Sequence, residues 1–241
     1  MATEIVIKGK IPKDPIVIEG FPSKGFVSTI ATRYMIDELE MEVIGYIKSD
    51  KVKSIAVVHD SKPMYPIRIY AKDNIVLIFS EVNIPLQFVG EFSDALMEWF
   101  KEIKPKRVYL LAGITGKEIE KEHEIFALTT DEELEERLEK LNVEKLDEGM
   151  LTGISSDILL ECIECGIPSV SLMVETRYIP DPLGAASLLN ILNELLNLKI
   201  DTRKLVEKGK EIEDMFREIT EQMKRGKEKH EEMSEYSPMY G

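Results

Sequence analysis

Between residues 15 and 198 the chain switches repeatedly between β-branched runs and stretches of helical spacing, and this alternation limits its fold more than any other feature. "PIVIEGF" (15–21) is an apolar run that stops at Gly20, and "PSKGFVSTIATRYMIDELEM" (22–41) then sets Phe26, Ile30, Tyr34 and Leu39 at helical spacing. "MEVIGYIKS", "VKSIAVVHD", "YPIRIYAKD" and "NIVLIFSEV" follow as strands, the last two predicted as a hairpin around Lys72, Asp73 and Asn74. "EFSDALMEWFKEI" reads as an amphipathic helix with Ser93 or Asp94 near its start, and "KRVYLLAGI" as a buried strand closed by Gly113. "HEIFALTT" is a strand, "DEELEERLEKL" a surface helix capped by Asp131, and "VEKLDEG" a short edge strand. "SSDILLECIECG" starts at a Ser or Asp cap and stops at Gly166. "IPSVSLMVE" returns as a strand, and "DPLGAASLLNILNELLNL" is the most apolar helix, with Asp181 as its cap and Pro182 in its first turn.

Helices interleaved with β-branched runs predict a mostly parallel sheet covered on both faces, with the central hairpin adding an antiparallel part. The expected fold is a three-layer α/β/α sandwich over residues 1–200. Residues 201–241 differ in character: Leu205, Ile212, Met215, Phe216, Ile219 and Met223 form a narrow apolar stripe among charges of both signs. A stripe that thin is expected outside the main core, on a helix that packs against a neighbouring helix or projects as a stalk.

Composition narrows the partners. A net charge of −14 repels phosphate backbones and anionic lipid, so neither nucleic acid nor membrane is an expected partner. No apolar run approaches the ~18 residues that a membrane span needs, and the first twenty residues have no signal-peptide pattern, which points to the cytoplasm. The abundance of Glu, Lys and Ile resembles the balance found in hyperthermophile proteins.

Chemistry-bearing patterns are few. Cys162 and Cys165 close a helix instead of opening one, where the dipole opposes a thiolate, and three scattered histidines supply no zinc set. Both cysteines are read as buried structural thiols, and no metal or cofactor is expected. "AGITGKE" (112–118) departs from a phosphate loop: two residues separate Gly113 from Gly116, and Glu118 follows Lys117. "TGISSD" and "VETRYIPDP" hold Ser155, Ser156, Asp157, Glu175, Arg177 and Asp181, but no nucleophile elbow. Capping by Ser155 or Ser156 and pairing of Glu175 with Arg177 account for them. No catalytic residue is assigned. An alternative remains in which Gly113, Gly116, Gly153 and the "VETRYIPDP" loop bind a nucleotide or another small ligand, or serve an ATP-grasp-associated enzyme.

The order of "EGFPSKGFVSTIATRYMIDELEMEVIGYI", "LLAGI", "GMLTGISSDILLECIECGIPSVSLMVET" and "PDPLGAASLLNILNELL" resembles the archaeal members of the proteasome assembly chaperone 2 family over about residues 10–200. "GISSDILL" and "PDPLGAASLL" are its most specific blocks. The resemblance implies a three-layer α/β/α domain, a homo-oligomer, a non-enzymatic role, and binding to α-subunits of the proteasome core particle. Met239, Tyr240 and Gly241 also resemble the hydrophobic-tyrosine-any-residue C-terminal motif that proteasome activators insert between α-subunits. In that comparison Met239 is the hydrophobic element, Tyr240 the aromatic anchor, and the Gly241 carboxylate the group that pairs with a pocket lysine. Pro238 disfavours helix at Ser237 and would leave the last residues extended.

Overall fold

Runs rich in Val, Ile and Leu become the middle of one large sheet because both of their faces can be covered. In the computed structural model, which describes residues 3–52, 55–115, 123–176, 179–207 and 209, the strands are β1 (Glu4–Ile7), β2 (Ile16–Gly20), β3 (Glu42–Lys48), β4 (Val57–His59), β5 (Lys62–Met64), β6 (Ile67–Lys72), β7 (Ile75–Ser80), β8 (Arg107–Thr115), β9 (Ile125–Thr129), β10 (Glu144–Lys145) and β11 (Ser169–Thr176). The helices are α1 (Val27–Glu38), α2 (Val89–Ile103), α3 (Glu132–Lys140), α4 (Ile154–Cys165), α5 (Pro182–Leu196) and α6 (Arg203–Glu207).

Among the described residues, nine strands pair in the order β1-β3-β6-β7-β2-β8-β11-β9-β10. The middle four, β7-β2-β8-β11, are parallel, whereas β1-β3-β6-β7 on one side and the β11-β9 pair on the other are antiparallel. The parallel character predicted from the sequence therefore belongs to the centre, where crossover helices join the strands. The predicted β6-β7 hairpin is present and turns at Asp73, whose φ is +51°.

Successive residues of a strand face opposite sides, and the two cores divide accordingly. Ile18, Leu77, Phe79, Tyr109, Leu111 and Leu172 face α1, α3, α5 and α6. Val17, Val76, Ile78, Val108 and Leu110 face α2 and α4. This is the expected three-layer α/β/α sandwich.

Several local expectations change. β1 was not anticipated; it is a four-residue edge strand that is only partly buried. Among the described residues of "VKSIAVVHD" none joins the main sheet; Val57–His59 is extended and pairs with β5 in a separate hairpin. That hairpin is tied down where His59 Nε2 meets Glu81 Oε1 at 2.7 Å and Glu81 in turn pairs with the buried Arg68 at 2.8 Å. Ser93 does not start α2, which begins at Val89; its hydroxyl instead bonds Asp157 of α4 across the layer. Gly113 does not close β8 either, since the strand continues to Thr115. Asp131 caps α3 as expected, accepting from the Glu133 and Leu134 amides.

At the C-terminal side, Leu205 is fully buried and belongs to the core shared by α1 and α5. The body thus extends past residue 200, because α6 packs against α5 and Gly209 lies beside Pro182, where a Cβ on it would stand 3.4 Å from that ring. Ile212, Met215, Phe216, Ile219 and Met223 lie outside the described residues.

Candidate functional site at the carboxyl ends of the parallel strands

The carboxyl ends of β2, β8 and β11 converge on the connections into α1, α4 and α5, the part of an open α/β sheet where ligands commonly bind. After β2 the chain turns through Ser23 and Gly25 into α1. The Gly113 amide donates to Ser23 Oγ at 3.0 Å, the Ser23 and Ser28 hydroxyls meet at 2.7 Å, and the Ser28 hydroxyl donates to the Phe21 carbonyl at 2.5 Å. Ser28 has one proton and gives it to Phe21, so Ser23 must donate to Ser28. The relay locks the β2–α1 connection onto β8. It also explains Gly113: a Cβ there would stand 2.1 Å from the Lys24 carbonyl oxygen.

On the α1/α5 side, Asp181 is buried and its carboxylate gathers three partners. Its Oδ1 accepts from the Gly184 amide at 2.8 Å, its Oδ2 from Thr176 Oγ1 at 2.5 Å and from His123 Nε2 at 2.8 Å, and its own amide donates to the Gly25 carbonyl. Burial alone would raise this carboxyl, but the hydrogen bonds from His123, Thr176 and Gly184, with the His123 charge, hold it below the usual carboxylate range. Asp181 therefore caps α5, as its place before Pro182 predicts. Nothing local in the sequence marks its bonds to His123 and Thr176.

On the α2/α4 side lies Glu19, fully buried in β2. Its Oε1 accepts from the Phe21 amide at 2.6 Å, and among the described residues no group meets hydrogen-bond geometry with Oε2. Burial pushes its pKa up to about 7, against the Phe21 amide and the nearby Ser155 hydroxyl, which favour ionisation. Ser155 is not the cap of α4 that the sequence suggested. The cap is Gly153, at φ +96°, with no side-chain bond to the helix; Ser155 and Ser156 lie in the first turn.

The other expected residues fall as follows. Glu175 is half-buried in β11; Arg177 and Gly116 lie outside the described residues. Of the two cysteines only Cys162 is buried, its thiol pushed up to about 12 chiefly by burial; Cys165 is exposed. Met239, Tyr240 and Gly241 lie outside the described residues.

Chemically, the His123–Asp181 pair resembles half of a relay, but among the described residues no hydroxyl or thiol bonds the other ring nitrogen. Among the described residues, Ser155 lies by the Glu19 carboxyl and bonds no histidine. No cluster of three or more metal-ligating side chains occurs among the described residues, and none of the described helices is long and apolar enough to cross a membrane.

The PAC2 family model matches residues 17–220. PbaA of Pyrococcus furiosus, an archaeal homologue of proteasome-assembly chaperone, superposes with a TM-score of 0.84 at 30% identity, covering 93% of this chain and 99% of that one. An uncharacterised protein of Methanocaldococcus jannaschii is 33% identical over 221 residues, 91% of each chain. PbaB of Pyrococcus furiosus, an archaeal proteasome activator, matches at 23% identity with a TM-score of 0.76, over 91% of this chain and 99% of its own, a likeness that speaks for the fold alone.

Proposed function

This chain belongs to the PAC2 family, and from that premise we propose that it is a cytoplasmic, homo-oligomeric chaperone or adaptor of the proteasome that acts by binding and performs no chemistry. The observation that carries this reading is the similarity to PbaA, a homologue of proteasome-assembly chaperone, along nearly the full length of both chains. The partner is the α-ring of the core particle, engaged during assembly or in regulation of the finished particle.

The contact is assigned to Met239, Tyr240 and the Gly241 carboxylate, on the sequence. A terminal carboxylate can be captured by a cationic or amide-lined pocket, while tyrosine supplies a large buried area with few rotors to freeze. The fold supports the reach of such a tail. α6 brings the chain to Gly209 beside the start of α5, at the carboxyl-end face, and 241 − 209 leaves 32 residues beyond it. Fully extended, a segment of that length spans at most about 110 Å.

The test is recovery of core particle on immobilised protein, comparing the wild type with Tyr240→Ala and with a Gly241 deletion. The wild type should retain core particle and both variants should lose it. Equal recovery by all three would remove the tail from the mechanism, and no recovery by the wild type would remove the proteasome.

A further inference from the structure

Among the described residues the main sheet ends at β10 on one side and at β1 on the other, and the two ends are built differently. β10 is two charged residues, and its Lys145 pairs with Glu135 and Glu139 of α3 at 2.5 and 3.1 Å. Such a short, charged finish keeps an edge from pairing further. β1 instead presents Ile5, Val6 and Ile7 in succession, all half-buried, with Ile5 and Ile7 packed on the α2/α4 core.

The phase of the β1 backbone is fixed by its bonds to β3. The strands are antiparallel, with Glu4 opposite Lys48 and Val6 opposite Tyr46, and the Lys8 amide donates to the Ile44 carbonyl at 2.7 Å. Bonded pairs alternate along such a ladder, so Glu4, Val6 and Lys8 turn their amides and carbonyls toward β3, while Ile5 and Ile7 turn theirs outward. No described strand lies beyond them. The flanking amides are already taken: Thr3 donates to Glu91 Oε1 at 3.1 Å, and Gly9 shares the Ile44 carbonyl at 2.9 Å.

We propose that this edge pairs with β1 of a second copy, antiparallel about a twofold axis through Val6, so that one sheet runs through both molecules. This names a contact for the homo-oligomer proposed above and rests on that part of the reading alone. The outward amides of Ile5 and Ile7 then meet the outward carbonyls of Ile7 and Ile5 of the second copy. Glu4 stands opposite Lys8 of the second copy at both ends; both side chains are exposed, and neither has an ion-pair partner among the described residues. The axis is perpendicular to the sheet, so the α2/α4 layers lie on one side and the isoleucines of both copies join their cores there.

Other registers lose this match. Centred on Ile5, the pairing needs the Thr3 amide that Glu91 holds and sets Glu4 against Val6; centred on Ile7, it needs the Gly9 amide and sets Val6 against Lys8. A step of one residue sets outward groups against inward ones. Lys8 would ordinarily blunt an edge, but a strand with an acid four residues earlier accepts it in antiparallel pairing. The contact is isologous and closes on itself, and the bulge at Lys8 and Gly9, with Pro12 beyond, stops it from lengthening.

The test is sedimentation equilibrium of the full chain at low ionic strength, comparing the wild type with Glu4→Lys, Lys8→Glu and the double variant. Each single reversal sets like charges opposite each other at both ends of the pairing and should weaken association about ten-fold, and the double variant should recover to within about two-fold of the wild type. Within one chain the two positions are roughly 13 Å apart along the strand, so recovery must arise between copies. A second measurement uses a Cys165→Ser background, which removes the exposed native thiol. Val6→Cys should then crosslink to itself on mild oxidation, because a non-hydrogen-bonded pair holds its Cα atoms about 4.5 Å apart, within disulfide reach; Ile5→Cys should not. No crosslink at residue 6, or single reversals that leave association unchanged, would overturn the edge pairing and leave the homo-oligomer to another surface. A wild type that stays monomeric at every concentration would overturn both. Core-particle recovery is read separately and bears on neither.

Discussion

Glu19 is an acid placed inside a β-branched run, and its energetics follow from that position. Desolvation lifts its pKa from an ordinary 4.5 to about 7, so folding is opposed once the unfolded chain can ionise and the folded chain cannot. Its contribution to stability is fully present below pH 4.5 and is lost as pH rises through 7. At 1.36 kcal/mol per unit, the difference amounts to about 3 kcal/mol at pH 8. Glu19→Gln keeps an acceptor for the Phe21 amide, so the variant should match the wild type near pH 4.5 and be more stable by up to about 3 kcal/mol at pH 8 in chemical denaturation. Equal pH profiles for the two proteins would show that Glu19 ionises freely in the fold. The acid in "PIVIEGF" was visible in the sequence as an interruption of an apolar run; its burial was not, because Ser155 and α4 arrive only much later in the chain. The His123–Asp181–Thr176 cluster was hidden for the same reason. Asp181 announced itself as a cap through Pro182, a local signal, while His123 has no local signal at all.

Elements were legible where one period persisted over several residues. The central strands β2, β7, β8 and β11 and the helices α1, α2, α4 and α5 follow from runs whose burial is set by their own sequence. β1, with four residues at the sheet edge, gave too short a pattern, and β4 had apolar content that suggested a sheet strand but pairs only with β5. Two glycines at element ends differ in what a side chain would meet, and a pair of substitutions separates them. At Gly113 a Cβ would overlap the Lys24 backbone oxygen, so Gly113→Ala must displace the α1 entry loop and should cost more than about 3 kcal/mol. At Gly153 a Cβ would meet nothing within 4 Å, and only the φ of +96° resists a side chain, for about 1–3 kcal/mol. Thermal unfolding should therefore rank Gly113→Ala below Gly153→Ala, and the reverse order would mean that the β2–α1 connection yields more readily than its serine relay implies.

At the scale of the whole molecule, the proposed tail and the proposed homo-oligomer make a joint demand. Three residues bury too little surface to hold a large partner alone, whereas several tails on one assembly engage a symmetric ring together, each docked tail raising the effective concentration of the next. Affinity should then fall faster than the number of intact tails. Co-expression of wild-type and Tyr240→Ala chains at graded ratios gives mixed assemblies whose composition mass spectrometry can count, and surface-immobilised core particle can report their dissociation constants. With half the tails intact, binding should weaken by at least about ten-fold if binding is multivalent. A decline in proportion to tail number would mean that single tails act independently, and the oligomer would lose its place in the mechanism. Substitution at residue 240 should leave the unfolding temperature of the assembly unchanged, because the two cores on either side of the sheet are built from residues no later than Leu205 among those described. Lost capture with an unchanged unfolding temperature would assign the defect to docking; a lowered temperature would assign it to folding instead.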